Sequence, residues 1–149
     1  MLDRLQSDLK AAMLARDALK TQVLRMALAA YRNEAVAKGL SPQGLLEEAD
    51  AVAVFKRLVK SREDSIEHYE RAGAHDRVDA ERAEITILKA FLPAMLEGAQ
   101  LEAAVKEAIA ASGATTRKDI GLVMKQLQAR HAGSYDGKAV NQIIQALLN

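Results

Sequence analysis

Metal or acid–base chemistry in this chain would have to start from its histidines, and there are three: His68, His75 and His131. Their spacing works against a site. His68 and His75 stand seven residues apart with Gly73 between them, which is about two helical turns and ~10 Å of rise. One helix therefore cannot bring both to one ion. Asp64 and His68 share a face at i, i+4, but two ligands do not make a metal site, and such pairs are ordinarily solvated surface contacts. The chain has no cysteine, so thiol nucleophiles, thiolate ligands and disulfides are excluded. No HExxH, GxSxG or GxGxxG pattern occurs. Neither a metal nor a cofactor is expected.

The stretch ARHAGSYDGKAV, residues 129–140, is the closest approach to a phosphate loop of the form GxxxxGK[ST]. It fails on three counts. Three residues rather than four separate Gly133 from Gly137, Ala139 stands where a hydroxyl would hold the metal, and the preceding residues are helical rather than a strand. A nucleotide site is rejected, and two compatible readings remain. In the first, the stretch is a corner. Gly133 takes the left-handed conformation that ends one helix, and Asp136 caps the next by accepting a backbone N–H bond. In the second, the corner also receives an anion. Lys138 falls in the first turn of the last helix, and Arg117 and Lys118 open the preceding one. A helix N-terminus disfavours a cation unless an anion comes to it.

Charge partition points the same way. Residues 112–149 hold Arg117, Lys118, Lys125, Arg130 and Lys138 against Asp119 and Asp136, a net of +3. Residues 93–111 set one basic side chain against three acidic, and residues 1–92 balance fifteen against fifteen. The positive excess is confined to the last two helices. Arg117, Lys118, Lys125, Arg130 and Lys138 are the candidate phosphate contacts, with Gly133 and Asp136 as structural caps. The whole-chain charge of +1 does not by itself indicate nucleic acid.

The elements that must hold these residues read as helices nearly throughout. Half of the residues are apolar but only 3% are aromatic, so the core is aliphatic and alanine-lined. Leu2, Leu5, Leu9 and Met13 recur at helical spacing. Asp17 is placed to cap a second helix with Leu19, Val23, Ala27 and Ala30 on its apolar face, ending at Gly39. After the loop GLSPQG, a third helix starts near Asp50 and shows Val52, Phe55, Val59, Ile66 and Tyr69. Gly73 ends it, and Asp76 is placed to cap a fourth that runs through Ile85, Leu88, Phe91 and Leu92 to Pro93. Beyond PAMLEGAQ come three shorter helices, marked by Leu101, Val105 and Ile109; by Ile120, Val123, Met124 and Leu127; and by Val140, Ile143, Ile144, Leu147 and Leu148. The expected fold is all-α, with an antiparallel helical N-lobe over 1–93 and a compact three-helix C-lobe over 94–149. No apolar run reaches the ~18 residues of a membrane span, so no membrane partner is expected. The N-terminus MLDRLQSDLK lacks the apolar centre of a secretion signal, and a cytoplasmic location is expected.

Four segments carry a family likeness: RLQSDLKAAMLARD, LRMALAAYRNEA, DSIEHYERAGAHDRVDAERAEITILKAFLP and DIGLVMKQLQARHAGSYDGKAVNQIIQALL. Through them the chain resembles the GatB/YqeY family, and within it the stand-alone YqeY-like proteins. The last segment is similar to the tail domain of the amidotransferase B subunit. The resemblance implies an all-helical fold with a tail-like C-lobe. It also implies an association with tRNA and with glutamine-dependent amidation of aminoacyl-tRNA, a carbon–nitrogen ligase reaction using glutamine as amide donor. The catalytic portions of that machinery have no counterpart in this chain. The function expected is that of an accessory tRNA-interacting module beside an amidotransferase or another tRNA enzyme. The alternatives are a protein-interaction module that docks a partner helix or tRNA enzyme, and a self-sufficient amidotransferase.

Overall fold

The computed structural model describes residues 1–149, and all of its regular structure is helical. The chain divides into two compact units, Met1–Leu92 and Pro93–Asn149.

The first unit holds α1 (Leu2–Leu14), α2 (Ala18–Ala37), α3 (Glu48–Arg71) and α4 (His75–Lys89). The Asp17 carboxylate caps α2, accepting from the Lys20 N–H at 3.1 Å. Contacts between α3 and α4 pair Arg62 with Glu84, Glu70 with Arg82 and Tyr69 with Arg77. Arg62, early in this set on α3, meets the latest α4 position, whereas Tyr69 and Glu70 meet earlier ones, which makes the pair an antiparallel hairpin. The same logic sets α2 against α3, where Glu34 meets Arg57 and Lys38 meets Asp50. Leu5, Val23, Leu24, Tyr31, Phe55 and Leu88 form the centre of the shared core. Phe55 and Phe91 lie 5.3 Å apart between ring centroids. The Tyr31 hydroxyl accepts from the Leu46 N–H at 2.9 Å and so ties the loop after α2 to the core.

Three local expectations need correction. Met13 is half-exposed rather than buried, because the chain leaves α1 one residue later and turns at Arg16. Leu19, expected on the apolar face of the second helix, is exposed in the first turn of α2. Asp76 does not cap α4. Ala74 takes the cap position without a side-chain bond, and Asp76 lies in the first turn, where its charge still suits the positive end of the helix dipole.

The second unit holds α5 (Gly98–Ser112), a 3-10 turn (Arg117–Asp119), α6 (Ile120–His131) and α7 (Gly137–Leu147). Leu101, Val105, Val123, Leu127, Val140 and Ile144 close its own aliphatic core. Of the two final leucines, Leu148 is buried and Leu147 is exposed, because α7 ends between them and the chain becomes extended at Leu148.

Candidate nucleic-acid interface

The five basic side chains of residues 112–149 face different local situations, and the structure separates them. Arg117 is not free. Its Nε donates to the Leu148 carbonyl at 3.1 Å, and its Nη2 donates to the Gln145 carbonyl at 2.8 Å. The Arg117 N–H also donates to the Asn149 carbonyl. These carbonyls close the C-terminal end of α7, where helix carbonyls lack partners and the dipole favours a cation. Arg117 thus acts as a clasp on α7, a role that its place in the sequence does not suggest. Nor does it open α6 directly. It sits with Lys118 in the 3-10 turn, which precedes α6.

Arg130 pairs with Glu107 of α5 through Nη1, both side chains being largely exposed. Such a pair exchanges readily with another anion, because solvent screening leaves it worth little. Lys118, Lys125 and Lys138 are exposed and form no ion pair. Lys125 projects from the outer side of α6 beside exposed Leu122, opposite the buried Val123 and Leu127.

Both carboxylates of the region are turned onto backbone. Asp119 accepts from the Thr115 N–H at 3.0 Å and the Thr116 N–H at 3.2 Å. Those two bonds hold its carboxyl below the usual aspartate range. Asp136 accepts from the Lys138 N–H at 3.3 Å and caps α7. The positive charge that remains to be met by a ligand is therefore on the lysines.

The corner between α6 and α7 is a tied piece of structure. Gly133 has φ of +73°, the left-handed conformation that a Cβ would strain. The Ser134 carbonyl accepts from the Leu96 N–H at 2.6 Å, fastening the corner to the segment before α5. Tyr135, the one aromatic ring here, packs against the core, and its hydroxyl donates to Gln128 Oε1 at 2.9 Å. Burial pushes its phenol above the usual tyrosine value. The ring is partly buried and its hydroxyl is tied back to α6. At the N-terminus of α7 the Asp136 carboxylate takes the Lys138 N–H and sets a negative charge beside the helix start, so the lysine side chains are the better placed to meet a phosphate. No three His, Cys, Asp or Glu side chains gather anywhere as a potential metal site.

The arrangement is that of an all-helical protein whose second unit closes its own core and leaves Lys118, Lys125 and Lys138 exposed. The family profile described as Yqey-like protein matches residues 2–148, and the chain belongs to the YqeY-like family. The match is to that family rather than to the amidotransferase B subunit. Among curated proteins it is similar to "Altered inheritance of mitochondria protein 41, mitochondrial" from three yeasts. In Lachancea thermotolerans the identity is 35% over 89 residues, covering 59% of this chain and 46% of the relative. In Eremothecium gossypii it is 31% over 94 residues, covering 63% and 50%. In Saccharomyces cerevisiae it is 30% over 99 residues, covering 66% and 51%. The chain spans about half the length of these relatives. Their names place them in mitochondria, which overturns the expectation of a cytoplasmic location drawn from the N-terminal composition. An N-terminal stretch without the apolar centre of a secretion signal does not choose between compartments.

Proposed function

We propose that the chain is an accessory tRNA-interacting helical module, which docks the RNA backbone on its second unit and works beside a tRNA enzyme such as a glutamine-dependent amidotransferase. The observation that carries this reading is the sorting of charge over residues 112–149. Both carboxylates are turned onto backbone N–H groups, whereas Lys118, Lys125 and Lys138 stand exposed and unpaired. Arg130 adds a cation whose exposed partner can be exchanged. Arg117 is withdrawn from the contact set because α7 holds it. With the partly buried Tyr135 as the one aromatic ring of the region, recognition rests on phosphates and RNA shape rather than on stacked bases. The link to amidation rests on the likeness of residues 119–148 to the B-subunit tail. Catalysis belongs to the partner enzyme in this reading.

A protein-docking module is the second reading. It is favoured by Leu122, which is 51% exposed on α6 next to Lys125, where it offers a partner helix an apolar anchor. Direct measurement of tRNA binding against salt concentration separates the two. The RNA reading requires affinity that falls with salt and depends on the three lysines; a protein interface centred on Leu122 requires neither.

A further inference from the structure

The first unit contains as many acidic as basic side chains, yet it pairs them unevenly. Of the nine arginines in residues 1–92, five form ion pairs, with Asp8, Glu34, Glu84, Glu67 and Glu70. Arg77 lies over the Tyr69 ring. The three that remain, Arg16, Arg25 and Arg32, all belong to α2 or to the turn that leads into it. The unpaired lysines of this unit, Lys10, Lys20, Lys56 and Lys89, are by contrast scattered one to a helix.

Helical spacing puts Arg25 and Arg32 on one side of α2, seven residues and ~10 Å apart along the axis. Exposed Gln22 and Ala29 share that side, while Val23, Leu24, Ala27, Leu28, Tyr31 and Ala35 are buried opposite. No carboxylate competes there. Glu34, the only acid within α2, is held by Arg57, and the Asp17 carboxylate caps the helix. Arg16 and Arg25 line one surface depression together with Met13, Ala18, Thr21 and Gln22. Arg16 also occupies an unusual backbone position. Its φ is +56°, and every other residue of the chain at positive φ is a glycine. A glycine would make this turn with less strain, so the turn alone does not account for an arginine.

We propose that the outer face of α2, through Arg16, Arg25 and Arg32, is a second RNA-backbone contact, on the first unit of the protein. The proposal rests on the tRNA reading above. A guanidinium grips a phosphate with a two-pronged donor pair. Guanidiniums spaced as Arg25 and Arg32 are take separate phosphates of one strand, and Gln22 and Ala29 let a strand lie across the helix without charge repulsion. Between Arg25 and Arg32 that side of the helix carries only Ala29, and half-exposed Met13 beside Arg16 and Arg25 is unaccompanied by any aromatic ring of the kind a protein hot spot favours.

The test uses the full chain, fluorescently labelled unfractionated tRNA and a series of KCl concentrations. The variant Arg16→Gly/Arg25→Gln/Arg32→Gln is compared with the charge-matched variant Arg71→Gln/Arg77→Gln/Arg82→Gln, which leaves the Glu34–Arg57 pair intact, with folding of each checked by circular dichroism. The α2 variant is expected to bind at least about tenfold more weakly at low salt, with a log–log salt slope flatter by roughly 0.7–0.9 for each phosphate it no longer neutralises. The charge-matched variant should keep the parent slope. Arg16→Gly alone should melt at or above the parent temperature and still bind tRNA less tightly. An α2 variant with the parent slope, or one that merely equals the charge-matched variant, overturns the proposal while leaving the role of Lys118, Lys125 and Lys138 intact. Weakening by the α2 variant but not by reversal of those lysines keeps the proposal and refutes the docking site on the second unit. A parent that binds no tRNA removes both. Capture of the parent by phosphatidylserine-containing vesicles through the three arginines, without tRNA binding, assigns the face to a membrane and overturns it.

Discussion

The Arg117 guanidinium donates to the Gln145 carbonyl at 2.8 Å and to the Leu148 carbonyl at 3.1 Å, so the turn before α6 holds the last turn of α7. Charge-assisted bonds to otherwise unpartnered helix carbonyls stabilise the fold, discounted here because the side chain is exposed. Arg117→Ala is expected to lower the stability of the second unit by about 1 kcal/mol and to leave the tRNA affinity of the folded protein unchanged. Denaturant unfolding and tRNA titration of the same variant check both halves. A loss of affinity without a loss of stability would return Arg117 to the phosphate contacts.

Asp136→Ala removes the α7 cap. The bond is long, at 3.3 Å, and exposed, so the expected cost is at the low end, about 0.5–1 kcal/mol. Binding of tRNA should be no weaker than that of the parent, since an anion has been removed. Weaker binding by a variant shown to be folded would mean that Asp136 holds Lys138 in place for the ligand.

Arg62 is the one charged side chain buried in the first unit, at 8% exposure. It bonds Glu84 at 3.0 Å, the Leu58 carbonyl at 2.9 Å and the Met26 sulfur at 3.2 Å. Truncation strands a partly buried carboxylate, so Arg62→Ala should cost about 2–3 kcal/mol. The paired change Arg62→Met/Glu84→Leu should recover much of that loss. Chemical denaturation of the parent, single and double variants reads the difference, and a double variant no better than the single would deny that the stranded charge is the cause.

Two carboxylates respond oppositely to pH. Burial, with Glu84 nearby, raises the Glu81 carboxyl above its usual value. The folded state therefore favours its protonated form, and this stability is lost as pH rises through the raised value. Backbone N–H bonds lower Asp119, so its contribution is present above the usual aspartate value and lost as pH falls through the lowered one. Glu81→Gln should melt above the parent at neutral pH and converge with it in acid below the usual glutamate value. Asp119→Asn should melt below the parent at neutral pH, with the gap closing as the solution is made more acidic. Melting curves across pH test the two signs independently.

Much of the fold was legible because helices announce themselves locally. The apolar period of Leu101, Val105 and Ile109, the capping Asp17 and the positive-φ glycine at Gly133 are all set within a few residues. What stayed hidden depends on distant partners. Nothing near Arg117 in sequence shows that Gln145 and Leu148 will take its guanidinium, or that Glu107 will take Arg130. Sequence reasoning counts five equivalent cations where the structure has one clasp, one exchangeable pair and three free lysines. It also passes over Arg16, Arg25 and Arg32, whose signal is the lack of a nearby carboxylate on one helix face, because the charge of the first unit sums to zero.

In the proposed function, Lys118, Lys125 and Lys138 dock an RNA backbone. The most direct measurement is tRNA affinity at several salt concentrations for the parent and for Lys118→Glu/Lys125→Glu/Lys138→Glu, with helicity monitored in both. The parent affinity is expected to fall linearly with salt on a log–log plot. The reversal variant is expected to stay helical, bind far more weakly and have a slope flatter by roughly 0.7–0.9 per phosphate left without its lysine. A parent without tRNA affinity at low salt, or a reversal variant that binds as well as the parent, would contradict this docking role.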